Sequence, residues 1–390
     1  MEPKIRFKGF EGEWKTPLFS EMVERISASG QAGMLPGVEF EDIASGEGCF
    51  NKNIYQKECH KYGKLFYEGD ILFGKLRPYL KNIILADFNG VAIGDFWVLR
   101  SKGLDEKYLY TLVNSESFLK VANISSGSKM PRADWNLVST TKFVVPSAKD
   151  EQKAIGKYFT SLDSQISAST SRLASLKQMK AASLQAMFPQ EGKTVPKIRF
   201  KGFEEEWKKV SFKDFTFHAG TKNRDNLPLE SYSISNEFGF KPQNEQFENG
   251  GTMTQADKRM YYIVSPNSFA YNPARINVGS LGYYEGKEDV IVSSLYEVFK
   301  TDDTICDKFL LYWFKTDIFQ KMIEQFQEGG VRLYFFYDKM CKCSLMRPSL
   351  AEQQAIASYF TSLDRQISLQ SQRLEKLKQI KSACLDKMFV

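Results

Sequence analysis

From Ile155 a series of positions advances by alternating steps of four and three, with apolar residues at Ile155, Phe159, Leu162, Ile166, Leu173 and Leu176. Ser169, Lys180, Ser183 and Met187 occupy the remaining places of the same series. Such spacing is a heptad seam of a and d sites, and it predicts a long helix whose apolar stripe faces another helix. The series recurs at Ile356, Phe360, Leu363, Ile367, Leu374 and Leu377, completed by Gln370, Lys381, Cys384 and Met388. Both copies are polar at the same interior sites, Ser169 with Gln370 and Lys180 with Lys381. Polar seam residues weaken a coiled coil but restrict its register and partners. No proline interrupts either stretch, and Pro146 and Pro348 stand just before them. The predicted helices run from about Lys149 and Ala351 to the pairs Met187-Phe188 and Met388-Phe389. At about 1.5 Å per residue, roughly 37 residues make a helix about 55 Å long. A single copy would read as an amphipathic helix packed on its own domain, whereas two copies with matching seams favour mutual pairing. Antiparallel pairing would place the two intervening domains at opposite ends, related by an approximate two-fold axis.

The seams belong to a larger repeat. Residues 3–11 read PKIRFKGFE and residues 196–204 read the same, with Trp14 and Trp207 following at equal distance. The helical blocks match as EQKAIGKYFTSLDSQIS against EQQAIASYFTSLDRQIS. The offset grows from 193 in the opening blocks to 201 in the helical ones, so about eight more residues lie between the blocks in the second half. Residues 16–145 and 209–346 show little identity to each other. The expected organisation is a domain over 1–148, a helix over 149–188, a linker over 189–195, a second domain over 196–350 and a helix over 351–390. A constant frame with divergent contents suits a modular reader.

Inside the first domain, Asp70 to Phe73 and Asn82 to Leu85 read as strands, with a turn at Gly74-Lys75-Leu76-Arg77-Pro78 between them. Arg275-Ile276-Asn277 and Tyr283-Tyr284 occupy the corresponding place in the second domain. Lys75, Arg77, Lys81 and Arg275 are either solvated turn charges or contacts to phosphates. Two loops, 125–132 with Ser126, Ser128, Lys129 and Arg132, and 329–334 with Arg332 and Tyr334, combine glycine with basic and polar residues. With Asn277, these are the candidate DNA-contacting residues, because such side chains reach phosphates or read base edges. Tyr283 and Tyr284 read as core aromatics rather than base-stacking ones.

Composition narrows the picture only slightly. The 390 residues suit two or three domains, and a hydrophobic share of 42% is ample for packed cores. The charged opening segment does not resemble a signal peptide, and no run reaches the length of a membrane helix, so a cytoplasmic protein is expected. A net charge of +6, with 26 basic and 22 acidic residues before Val195 and 27 and 25 after it, permits nucleic-acid binding without demanding it. Six scattered cysteines lack zinc-site spacing; Cys341 and Cys343 would share one face of a strand, but no metal is assigned. Only His60 and His218 are available as histidines, and Walker A, GxGxxG and HExxH patterns are absent. Asn272-Pro273-Ala274-Arg275 lacks the second proline and the aromatic of an amino-methyltransferase motif and reads as a turn. Chemistry of its own is therefore not expected of the chain.

The blocks PKIRFKGFEGEW and PKIRFKGFEEEW, the two EQ-aI-YF-SLD-QI helices and the segment GDILFGKLRPYL resemble those of type I restriction-modification specificity subunits. FAYNPARINVG resembles another common version of the same recognition module. The resemblance implies an α+β fold with two target-recognition domains and a spacer of two long antiparallel helices, each domain reading half of a split DNA target. It also implies that methyltransferase subunits, two per chain, dock around the helices and carry S-adenosylmethionine, while restriction subunits bring ATP and Mg; this chain would hold no cofactor. A self-contained DNA-modifying enzyme and a scaffold binding only proteins are the competing readings. The first needs motifs that are missing, and the second leaves two large divergent domains unexplained.

Overall fold

A computed structural model of the chain describes residues 3–33, 35–57, 59–124, 130–236, 239–246 and 257–389. The chain divides into two compact units, Met1–Leu173 with Leu369–Val390, and Ala174–Ser368. The boundaries drawn from sequence follow the elements, whereas packing divides both long helices in mid-length. In each unit, the start of one helix and the end of the other bury their seams in the same core.

In the first unit, an antiparallel sheet runs in the order Val23–Ile26, Phe96–Ser101, Ile71–Gly74, Ile83–Leu85. Its strands Ile71–Gly74 and Ile83–Leu85 are apolar at successive positions because both faces are covered there, whereas the edge strand Val23–Ile26 exposes Glu24 and Arg25. Ile71, Phe73, Ile83, Trp97 and Leu99 join one core with the helices Glu106–Val113, Glu116–Ala122 and Trp135–Thr140. Leu72, Ile84, Phe96 and Val98 point the other way into a second core. The two-residue period of the strand sorts one continuous apolar run into two layers. A second sheet, Ser29–Gln31, Tyr62–Phe66, Gly90–Ala92, Gly37–Val38, supplies Phe66, Ala92 and Val38 to that second core.

The second unit uses the strand order Thr216–His218, Glu297–Thr301, Ser268–Tyr271, Leu281–Tyr284, and divides its apolar residues in the same manner. Phe269, Tyr271 and Phe299 face the helical core, while Ala270 and Val298 face the other. Tyr284 is buried and Tyr283 half-buried, its hydroxyl donating to the Asp307 carboxylate at 2.8 Å. The cysteine pair departs from the strand expectation. Cys341 caps the short helix Tyr337–Met340, and Cys343 sits in the turn before strand Ser344–Arg347, because the buried Met340 anchors a helical turn there.

The long helices are Lys149–Ala186 and Leu350–Met388, of 38 and 39 residues. Within the first unit they run antiparallel, as Tyr158 meets Cys384 at 3.5 Å, Asp163 pairs with Lys381 at 2.5 Å, and Gln370 donates to the Ser169 carbonyl at 3.2 Å. Within the second, Ser183 meets Tyr359 at 2.9 Å and Lys180 pairs with Asp364 at 2.5 Å. The polar seam residues are thus partnered across the pair, and each seam site is buried or half-buried. Met388 and Phe389 close the first core against Tyr108 and Phe159. Met187 and Phe188 close the second against Phe309 and Phe360.

The repeated opening block brackets each helix. Arg6 makes two bonds to the Glu151 carboxylate, at 2.6 and 2.8 Å, and Arg199 does the same to Glu352 at 2.7 and 2.8 Å. Both glutamates are buried, so each carboxylate depends on its guanidinium. The neighbouring Gln152 and Gln353 accept the backbone N–H of Asp105 and Cys306, fixing the start of the domain helix that follows. Gly156, the one glycine in either long helix, lies where a Cβ would stand 2.6 Å from the Tyr108 nitrogen. Close backbone approach explains a residue that otherwise weakens a helix.

Candidate nucleic-acid interface

In the first unit, the antiparallel strands Ile71–Gly74 and Ile83–Leu85 present the turn that links them. Pro78 starts a short 3-10 turn, Pro78–Leu80, and is buried, which pins its middle. Arg77 and Lys81 flank it in left-handed conformations, with φ of 50° and 53°. Non-glycine residues in this region cost roughly 1–2 kcal/mol each and persist where surrounding bonds over-determine them. Those bonds are present: Arg77 N–H donates to the Pro131 carbonyl at 2.8 Å, and Lys81 N–H to that of Pro78 at 2.9 Å.

The segment ending in Arg132 is stitched onto this turn. Ala133 N–H donates to the Lys75 carbonyl at 2.8 Å, and Leu76 bridges Arg132. Asp95, in the turn before strand Phe96–Ser101, pairs with Lys75 at 3.3 Å and with Arg132 at 3.1 Å. Burial pushes the Asp95 carboxyl up, but the hydrogen bonds from Arg132 and Lys75 hold it below its ordinary value. Lys75, Arg77 and Arg132 therefore form one surface, with Arg77 exposed beside the acid-braced pair. Lys81 turns elsewhere, into a cleft of about 610 Å³ shared with Ser167, Thr170, Lys378 and Lys381. Ser126, Ser128 and Lys129 lie outside the described residues.

In the second unit, strand Ser268–Tyr271 leads into a turn at 272–275 and the 3-10 turn Ile276–Val278. Ile276 is buried and holds the turn, leaving Arg275 and Asn277 exposed. Loop 329–333 is closed at its base by mutual backbone bonds between Glu328 and Tyr334, at 2.9 and 2.8 Å. Phe335 N–H then donates to the Pro273 carbonyl at 3.0 Å, docking the loop beside the turn. One groove of about 940 Å³ results, and Arg275, Asn277, Arg332 and Tyr334 all line it. Tyr334 stacks on Phe336 at 5.5 Å with an interplanar angle of 3°.

Glu297 lines the same groove. Burial raises its carboxyl above the ordinary value, while His218 at 3.4 Å opposes that shift. Among the described residues, neither Arg275 nor Arg332 makes an ion pair, in contrast to Lys75 and Arg132.

Four groove or turn residues did not stand out from the sequence: Asp95, Leu295, Val331 and Phe336. Val331 carried a usable signal, an apolar residue inside the glycine-rich loop EGGVRLY. Asp95 carried none, since its partners are 20 and 37 positions away. No group of His, Cys, Asp and Glu able to hold a metal occurs among the described residues, and no helix among them is long and apolar enough to cross a membrane.

The family model of the type I restriction modification DNA specificity domain matches residues 204–379, which take in the second turn, its neighbouring loop and most of the second long helix. The type I restriction enzyme MjaVIII specificity subunit of Methanocaldococcus jannaschii is 22% identical over 310 residues, 74% of this chain and 70% of that protein. The second half of the chain thus carries the likeness to the type I restriction modification DNA specificity domain. The EcoDI specificity subunit of Escherichia coli is 24% identical over 120 residues, a stretch covering 29% of this chain and 27% of that relative. The crystal structure of a type I restriction-modification S subunit from M. genitalium shares the fold, with a TM-score of 0.64 at 12% identity over 100% of this chain and 99% of that one. The likeness to specificity subunits is one of sequence in the second half and of fold along the whole chain.

Proposed function

We propose that this chain is a type I restriction-modification specificity subunit that binds double-stranded DNA and reads a bipartite target, one half through each unit, without catalysing a reaction itself. The observation that carries the reading is the convergence of Arg275, Asn277, Arg332 and Tyr334 on one groove. Arginine and asparagine present the donor and acceptor pairs that match purine edges in the major groove, and the arginines also neutralise phosphates. The turn at Lys75 and Arg77, with Arg132 beside it, is the counterpart in the first unit, built on the corresponding pair of antiparallel strands.

The long helices set the unread gap. A helix of 38 residues is about 57 Å long, or roughly 17 base pairs at about 3.4 Å each. Two methyltransferase subunits dock around the helical pair and bring S-adenosylmethionine, and restriction subunits join through them with ATP and Mg. Exchanging residues 16–145 for those of a related subunit, followed by methylome sequencing of a host carrying the methyltransferase partner, tests this. The expected result is a change in one half of the methylated target. A change in both halves would overturn independent reading, and absence of sequence-dependent methylation would overturn the proposal as a whole.

A further inference from the structure

The loop over 329–333 carries an apolar tip that no core accounts for. Val331 is fully exposed, Leu333 is exposed, and Leu295 across the groove is 72% exposed. All three line the groove that holds Arg275, Asn277 and Arg332. The loop is held rigidly: Gly329 has φ of +133°, and a Cβ there would stand 2.1 Å from the Arg332 carbonyl oxygen. A braced loop that keeps a valine in water is organised for contact rather than for stability.

The neighbours identify the partner. Guanidinium and amide groups match the hydrogen-bonding edges of guanine and adenine, and the one apolar feature a base pair shows in the major groove is the thymine 5-methyl group. Valine is short, β-branched and stiff at χ1, which suits contact with a methyl group. Wedges that unstack bases from the minor groove use residues such as Phe, Leu, Ile or Met at their leading point.

We infer that Val331 is a specificity-determining residue that reads the 5-methyl group of a thymine in the half-site bound by the second unit. The inference rests on the DNA-reading function proposed above. Its test uses the full chain assembled with its methyltransferase partner and the target obtained from the methylation map. Each thymine of the second half-site is replaced in turn by uracil, which lacks only the methyl group, and dissociation constants are measured. The wild type should bind one uracil duplex about fourfold more weakly, the effect of one buried methyl-sized group. Val331→Ser should bind the thymine duplex about fourfold more weakly and no longer distinguish it from the uracil duplex. Because Val331 is fully exposed, the variant folds as the wild type does, and thymines of the first half-site serve as internal controls.

Equal wild-type affinity for every uracil duplex would overturn the inference, as would a second half-site without an A·T pair or a thymine preference kept by Val331→Ser. A 2-aminopurine signal from unstacking that disappears in Val331→Ser would assign a wedge instead and equally overturn it. All these results leave DNA reading intact. An assembled complex with no sequence preference would remove both claims.

Discussion

Asp95 holds Lys75 and Arg132, two of the cations proposed to meet DNA in the first unit, and replacing it with asparagine separates counter-charge from scaffold. Its partners Lys75 and Arg132 lie at 3.3 and 3.1 Å, with side chains 33% and 52% exposed. Solvent screening at that exposure limits each pair to well under about 1 kcal/mol. A phosphate competing for both cations must overcome the two pairs together, at most roughly 1.4 kcal/mol, which corresponds to about tenfold in affinity. Asp95→Asn should therefore bind duplex of arbitrary sequence up to about tenfold more tightly. Its plot of log K against log salt should be steeper by about 0.9 for each phosphate newly neutralised, so by about two at most. Specific binding gains less, and the ratio of specific to non-specific affinity falls. The hydrogen bonds that oppose burial hold the Asp95 carboxyl below its ordinary value, so the pairs are intact at neutral pH. Their contribution is present above the unfolded carboxylate value and is lost only as pH falls through the folded one. Fluorescence anisotropy across a salt series, on target and random duplexes, reads both quantities. Weaker binding or an unchanged salt slope would refute the reasoning and make Asp95 a brace for the turn.

Two further outcomes follow from the repeated frame. Arg199→Ala strands the buried Glu352 carboxylate and should cost about 3–5 kcal/mol in chemical denaturation, with Arg6→Ala costing a similar amount at Glu151; lysine at either site should restore only part, because it cannot make the two-pronged contact. A loss under about 1 kcal/mol would show that these pairs do not hold the helix starts. Leu374→Asp places a charge at a seam site only 7% exposed and should impair folding and partner assembly together, whereas Leu173→Asp, at a half-buried site, should do so less; wild-type melting of Leu374→Asp would sink the paired-helix account.

How much was legible in the sequence differs by level, and for physical reasons. The two long helices, the strands around the turn at Lys75 and the duplicated frame were readable because each is a local or periodic pattern, or a near-identity between distant blocks. Heptad spacing dictates a stripe whatever lies opposite. The placement of Arg275 and Asn277 on an exposed turn was readable too, since they follow a strand and flank a buried isoleucine.

Convergence was not. Arg332 and Tyr334 join Arg275 and Asn277 only because Phe335 binds the Pro273 carbonyl, a contact across 62 positions that no local pattern encodes. Lys81 shares the turn of Lys75 and Arg77, yet left-handed backbone on either side of Pro78 sends it to a different cleft. Asp95 acquires its role only when two distant segments meet around it. Likewise the Met-Phe pairs read as helix ends, while tertiary packing makes them plugs for hydrophobic cores. Periodicity and repetition are properties of the chain, so sequence alone determined the long helices and the duplicated frame. A groove is a property of side chains brought together from distant positions, and only the closed fold decides which of them meet.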